Sequence, residues 1–212
     1  MITSHTPASR EVQGDSLPPS ADDQQTHMSE AQAIHDGMSS RVGSVIESTS
    51  PLETPPYFKI AGYYLSRHNH GAPSCPDIAI GEQDASRTKP QAWSKNIDGQ
   101  EHWFYNYPGA CAEAKHLGKA IPTIDQWMEM FASIEGGAAQ KANTLSIPMA
   151  GYRDAANGEF YSAGDYAYFW SSSPIGNVSA YWTVLARGDA DAGRYWDGRV
   201  RGVSLRFLAD TE

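Results

Sequence analysis

Cysteine is nearly absent from this chain of 212 residues: only Cys75 and Cys111 occur. Two thiols without a secretory signature are more often free than paired, so no disulfide framework is expected, and pairing of these two stays open. No run of about eighteen apolar residues occurs, which excludes a membrane-spanning helix. The first fifteen residues, MITSHTPASREVQGD, have neither the apolar segment of a secretory signal nor a lipoprotein-type cysteine. The expected location is therefore cytoplasmic or virion-associated. Basic residues are scarce, 16 against 25 acidic ones, for a net charge of −9. That balance argues against sequence-independent nucleic-acid binding, which needs a basic face.

Several catalytic signatures are missing as well. There is no glycine-rich phosphate loop, no G-x-S-x-G elbow and no H-E-x-x-H helix. His68, His70 and Cys75 offer nitrogen and sulfur ligands, with His102 and Cys111 further along. This spacing fits solvent-exposed loop histidines better than a closed zinc site, which needs four ligands. Asp154 with Glu159, and Asp189 with Asp191, read as turn residues and solvated charges rather than acid–base couples. No catalytic residue, metal or cofactor is expected.

Aromatic residues are unevenly placed. Residues 1–53 have no Trp, Tyr, Phe or Cys, and carry two basic residues, Arg10 and Arg41, against eight acidic ones. So little apolar content cannot offset the entropy of ordering, and residues 1–54 read as a disordered or weakly helical acidic arm. Within it, Ala31, Ile34, Met38, Val42 and Val45 recur at helical steps over residues 28–47. That stripe suits a partly formed linker helix or a helix that joins copies of the chain into a homo-oligomer. Residues 55–212 form the folded domain, roughly 155–160 residues, an ordinary size for one core.

Tyr57 to Leu65 is the first strand candidate, rich in aromatic and β-branched residues. Residues 66–100 look irregular apart from a short strand candidate at Asp77 to Ile80. Gln100 to Tyr105 follows as another strand. Pro108 to Leu117 reads as a helix stopped by Gly118. Thr123-Ile124-Asp125-Gln126 has the pattern of a capping box, followed by Trp127, Met130, Phe131 and Ile134 as the apolar stripe of a second helix that Gly136-Gly137 ends. Everything beyond Leu145 reads as short strands and turns, closing on a strand over Val203 to Leu208. Two helices followed by many strands imply an α+β fold.

The segment Arg187 to Arg199, RGDADAGRYWDGR, contains no Val, Ile, Leu, Met or Phe. It cannot build a core, but it can present Tyr, Trp, Asp and Arg to a partner. Residues of these types dominate binding hot spots because they bury area, stack and hydrogen-bond at modest entropic cost. The candidate ligand-binding residues are Tyr181, Asp189, Asp191, Arg194, Tyr195, Trp196, Asp197 and Arg199. Gly188, Gly193 and Gly198 are expected to let the backbone turn between them. Arg206, which alternates with Val203 and Leu205, is assigned to a structural ion pair.

Five short patterns occur in a characteristic order. Ile121-Pro122-Thr123 enters a helix carrying Trp127. Pro148 and Ala150-Gly151-Tyr152-Arg153 come next, then Gly158 and Phe160. Phe169-Trp170-Ser171-Ser172-Ser173 and Ala180-Tyr181-Trp182 follow, and Gly202-Val203-Ser204-Leu205-Arg206 closes the run. Over about residues 100–210 this layout resembles the Fibrobacter succinogenes major paralogous domain, a branch of the C-type lectin fold near the formylglycine-generating domains. Departures are Gly118-Lys119-Ala120 before Ile121-Pro122, where the family has a fuller motif, and Phe207 where it usually has a cysteine.

The resemblance implies a C-type lectin-like fold, two helices packed on short antiparallel sheets, and assigns Trp170 and Trp182 to the core, since the family pattern repeats them with the strands. The same fold serves the variable proteins of diversity-generating retroelements, including phage receptor-binding proteins. In those systems asparagine codons commonly become Tyr, Asp, Ser, Gly or Ala, and Tyr181, Asp189, Asp191, Tyr195 and Asp197 are of those types. An ordinary polar loop has the same composition. The calcium-dependent sugar motifs of C-type lectins are absent, and Trp196-Asp197-Gly198 is a poor substitute. Formylglycine-type oxidation needs cysteines in the C-terminal part, and none follows Cys111. The expectation is thus a non-enzymatic binding protein for a protein or glycan target, a retroelement variable protein or a phage tail-associated receptor-binding protein.

Overall fold

The computed structural model describes residues 55–209. The acidic arm and its stripe over residues 28–47 fall outside the described residues.

The chain opens with β1 (Tyr57–Ile60) and β2 (Tyr63–Ser66), paired antiparallel. The single strand expected over residues 57–65 is therefore a hairpin. Ala61 and Gly62 both take positive φ, 47° and 83°, the geometry of a two-residue turn between twisted strands. The strand expected at Asp77 shrinks to β3 (Ala79–Ile80), which runs parallel to β4 (Gln91–Ile97). β4 lies within a stretch that looked irregular. It turns at Asp98-Gly99 and pairs antiparallel with β5 (Gln100–Tyr105).

Helix α1 (Tyr107–Leu117) starts at Asn106, whose side chain accepts from the Gly109 amide, and stops at Gly118 in the left-handed region. Helix α2 (Ile124–Ala132) starts with the capping box: Thr123 Oγ1 accepts from the Gln126 amide, and Gln126 Oε1 accepts from the Thr123 amide. Each bond satisfies an orphan N–H of the helix start. A third helix, α3 (Ala138–Thr144), has no counterpart in the sequence reading.

The long hairpin β8 (Tyr166–Ile175) and β9 (Ser179–Ala186) carries the edge strand β10 (Gly193–Gly198), after the short pair β6 (Tyr152–Arg153) and β7 (Phe160–Tyr161). The described fold is thus α+β, with three helices on small, mostly antiparallel sheets. Opposed residues on antiparallel strands share a face, and successive residues alternate between faces. On one face, Trp170 opposes Trp182 and Tyr168 opposes Val184. This face packs on Tyr105, Tyr107, Val203 and Leu205. On the other, Phe169 and Leu185 meet Trp127, Met130 and Phe131 of α2 and Leu145. Burial of these large side chains, at about 25 cal/mol per Å² of apolar area, is the main stabilising term.

Val203 to Leu208 is not a continuous strand. Isolated bridges join Val203 to Tyr105, Ser204 to Phe169, and Leu208 to both Leu65 and Ala120. The segment threads between sheets and ties them together. Arg206 within it is fully buried but forms no ion pair among the described residues. Its guanidinium donates to Asn69 Oδ1 at 2.8 Å and to the carbonyls of Leu145 and Ser146, each at 2.9 Å. Burial pulls its pKa down to about 9. The expected ion pair is replaced by carbonyl and amide oxygens, which suit the fork of the guanidinium.

Candidate functional site

Strand β10 carries most of the candidate residues, and its register divides them. Tyr195 opposes Trp182 and Asp197 opposes Ala180, which puts both on the face of Tyr168 and Trp170. Trp196 opposes Tyr181 and Arg194 opposes Thr183, on the face covered by α2. The alternation of a strand thus separates Tyr195 from Tyr181, which the sequence reading joined in one surface. None of Gly188, Gly193 and Gly198 adopts a positive φ. Gly193 serves close approach instead: a Cβ there would lie 2.3 Å from Cε2 of the Tyr195 ring.

Most of the charged candidates are engaged within the molecule. Arg194 pairs with Asp125 of α2 at 2.5 Å. Arg199 donates to the carbonyls of Ser179 at 3.1 Å and Gly176 at 2.7 Å, and lies over the Tyr107 ring at 4.9 Å. Asp191 stands 3.5 Å from the buried Lys141 of α3. Asp197 accepts from Arg201, which also pairs with Asp154 at 2.6 Å and lies 5.1 Å from the Tyr152 ring centroid. Burial would lower the Arg201 pKa, but Asp197 and Asp154 outweigh it and raise it. The Asp154 carboxyl is held low by the Ala156 amide and by Arg201. Asp154 and Asp197 therefore fix a guanidinium rather than move a proton.

Of the four remaining candidates Tyr181 is partly buried, and two aromatics and one carboxylate are exposed. Tyr195 is 56 % exposed and Trp196 64 %. The Asp189 carboxylate forms no ion pair or hydrogen bond among the described residues, whereas its carbonyl accepts from the Ala138 amide at the start of α3 at 3.1 Å. That bond fixes the loop before β10 against the helix.

These groups border a groove of about 430 Å³ whose aromatic lining is Tyr166, Tyr168, Trp182, Tyr195 and Trp196, joined by Val184, Asp189 and Asp197. The Tyr166 and Tyr168 rings stack with centroids 5.9 Å apart, and Tyr168 meets Trp182 at 5.3 Å. Trp182 is 7 % exposed, so it is core and groove wall at once, and its Nε1 has no hydrogen-bond partner. Tyr166 and Tyr168 were missed in the sequence. Their alternation ahead of Phe169-Trp170 in β8 was the available signal. Arg199 and Tyr181 do not line the groove.

The histidines converge elsewhere. His68, His70 and His102 line a second cavity of about 360 Å³ with Asn69 and Trp103. Among the described residues, no group of three His, Cys, Asp or Glu is placed to hold a metal ion. Cys75 is buried, Cys111 is exposed, and the two are not bonded to each other. His70 Nε2 lies 2.8 Å from the buried Glu113, which also accepts from the Ser74 hydroxyl at 2.6 Å and from the Ser74 and Cys75 amides, each at 2.8 Å. Burial would raise the Glu113 carboxyl, but the Ser74, Cys75 and His70 bonds outweigh it and hold it low. Serine and histidine both bond the carboxylate rather than each other, which is a loop clamp and not a nucleophile–base arrangement. No described helix is long and apolar enough to cross a membrane. No family model matches the chain, and no match is found among curated proteins or solved structures.

Proposed function

We propose that this chain is a non-enzymatic binding protein with a C-type lectin-like fold, which presents the β10 edge and its groove to a protein or glycan target. The observation that carries the reading is the exposure of Tyr195 and Trp196 on an edge strand braced from both sides. Arg194–Asp125 and Asp191–Lys141 tie the region to the helices, and Arg201, paired with both Asp197 and Asp154, ties it to the turn after β6. Large aromatics exposed on a fixed backbone bury area on contact and lose little entropy doing so. A helix-braced scaffold also leaves the exposed positions free to vary, as a variable protein of a diversity-generating retroelement requires.

Sequencing the coding region of residues 181–199 across a natural population tests this. Substitutions concentrated at exposed positions such as Asp189, Tyr195 and Trp196, with Trp170 and Trp182 fixed, are expected. A neighbouring reverse transcriptase and a near-copy of the segment would accompany them. An invariant segment removes the retroelement part and leaves a dedicated binder with one partner.

A further inference from the structure

The groove combines aromatic faces with a carboxylate that no cation of the described residues neutralises. Aromatic rings carry negative charge on their faces and attract cations there, most strongly where water is excluded. Tyr195 and Tyr166 supply exposed ring surface, while Tyr168 and Trp182 supply sheltered surface. Asp189 supplies the free charge. Asp197 also borders the groove, but its charge is committed to Arg201.

The molecule already solves this recognition problem beside the groove. Arg201 sits over the Tyr152 ring and between two carboxylates, and Tyr152 touches Tyr168 with ring centroids 5.2 Å apart. Arg153 lies over Trp93 at 4.2 Å. Both pairs show a guanidinium on an aromatic face within this domain. The aromatic surface next to Arg201 has the same components, and the Asp189 carboxylate at its border is complementary to a cationic visitor.

We propose that the groove bounded by Tyr168, Trp182, Tyr195 and Asp189 binds an arginine side chain of a protein partner. The ring faces would take the planar guanidinium and Asp189 would pair with it. Arginine fits better than lysine because its flat, weakly hydrated head stacks on aromatic rings. This rests on the reading of the β10 region as a binding surface, and adds the chemistry of what it binds.

The full chain is titrated with the peptide acetyl-Gly-Arg-Gly-amide, followed by amide and indole NMR shifts. The same peptide with neutral citrulline in place of arginine, and methyl β-glucoside, serve as comparisons. Saturable shifts at Trp182 and Tyr195 are expected with the arginine peptide, with citrulline binding about tenfold more weakly. Asp189→Asn and Tyr195→Ala are each expected to weaken it by about tenfold. Asp189→Asn keeps the carbonyl that holds Ala138, so the fold is not at risk. Equal binding of both peptides, or binding of the glucoside alone, overturns the arginine assignment while leaving the surface a binding surface. No shift with any probe also overturns it, and the population sequencing then decides the broader reading separately.

Discussion

Trp170 and Trp182 stack across β8 and β9 with ring centroids 5.7 Å apart, yet only one of the two indoles has a hydrogen bond. Trp170 Nε1 donates to the Tyr105 carbonyl at 2.7 Å. Trp182 Nε1, in the groove wall, has no partner. The two rings thus make different contributions to one core.

Replacing each with phenylalanine separates those contributions. Both changes remove ring volume from the same layer. Trp170→Phe also loses a bond, although the Tyr105 carbonyl keeps the Val203 amide. Trp182→Phe removes an unsatisfied donor. Trp170→Phe is expected to cost about 1–3 kcal/mol more than Trp182→Phe in denaturant unfolding. Equal costs would show that the Trp182 N–H is satisfied in solution.

Glu113 gives a pH dependence with a definite sign. Its folded pKa is lowered, so the unfolded chain binds the proton more readily. The stabilisation is full at neutral pH, above the ordinary carboxylate pKa of about 4.3. It is lost as pH falls through the depressed folded value. Glu113→Gln puts amide hydrogens against the Ser74 and Cys75 amides or loses an acceptor. Its melting temperature is expected to fall below wild type at pH 7, and the gap to narrow towards pH 3. A gap that stays constant with pH would assign the loss to packing alone.

How far the sequence carried these conclusions depends on whether the determinants are local. Helix α2 was legible because its cap and its apolar stripe lie within twelve residues, Thr123 to Ile134. The hairpin β4–β5 had a visible turn in Asp98-Gly99, but the polar Ser94-Lys95-Asn96 obscured its first strand. Helix α3 begins after Gly137 without a side-chain cap and has only Ala138, Lys141 and Ala142 buried, too little apolar pattern to register. In the site, the absence of Val, Ile, Leu, Met and Phe from 187–199 singled out Tyr195 and Trp196. The partners that occupy Arg194, Asp197 and Arg199 come from α2, from Arg201 and from backbone carbonyls of the β8–β9 turn. Only tertiary structure brings those together.

Arg206 illustrates the same limit and is open to test. Its Nε donates to Asn69 Oδ1 and its two terminal nitrogens to the adjacent carbonyls of Leu145 and Ser146, three acceptors on two segments. A lysine ammonium cannot span those positions at once. Arg206→Lys is expected to destabilise the domain by about 3 kcal/mol, since buried acceptors lose their donors. A cost below about 1 kcal/mol in urea unfolding would mean that water replaces the guanidinium.

Gly193 controls the groove through Tyr195. The ring of Tyr195 lies where a side chain at 193 would go, 2.3 Å from an added Cβ. The clash is with an exposed, movable ring rather than with backbone, so Gly193→Ala is expected to swing Tyr195 aside and to cost no more than about 1 kcal/mol. The Tyr195 ring resonances should move, and the arginine peptide should bind more weakly although no groove-lining residue has changed. Trp196→Ala, on the opposite face of the strand, should leave stability within about 0.5 kcal/mol. If Gly193→Ala instead unfolds the domain as Trp170→Ala is expected to, by about 3–5 kcal/mol, then the Tyr195 ring is wedged in place and the groove is a fixed wall.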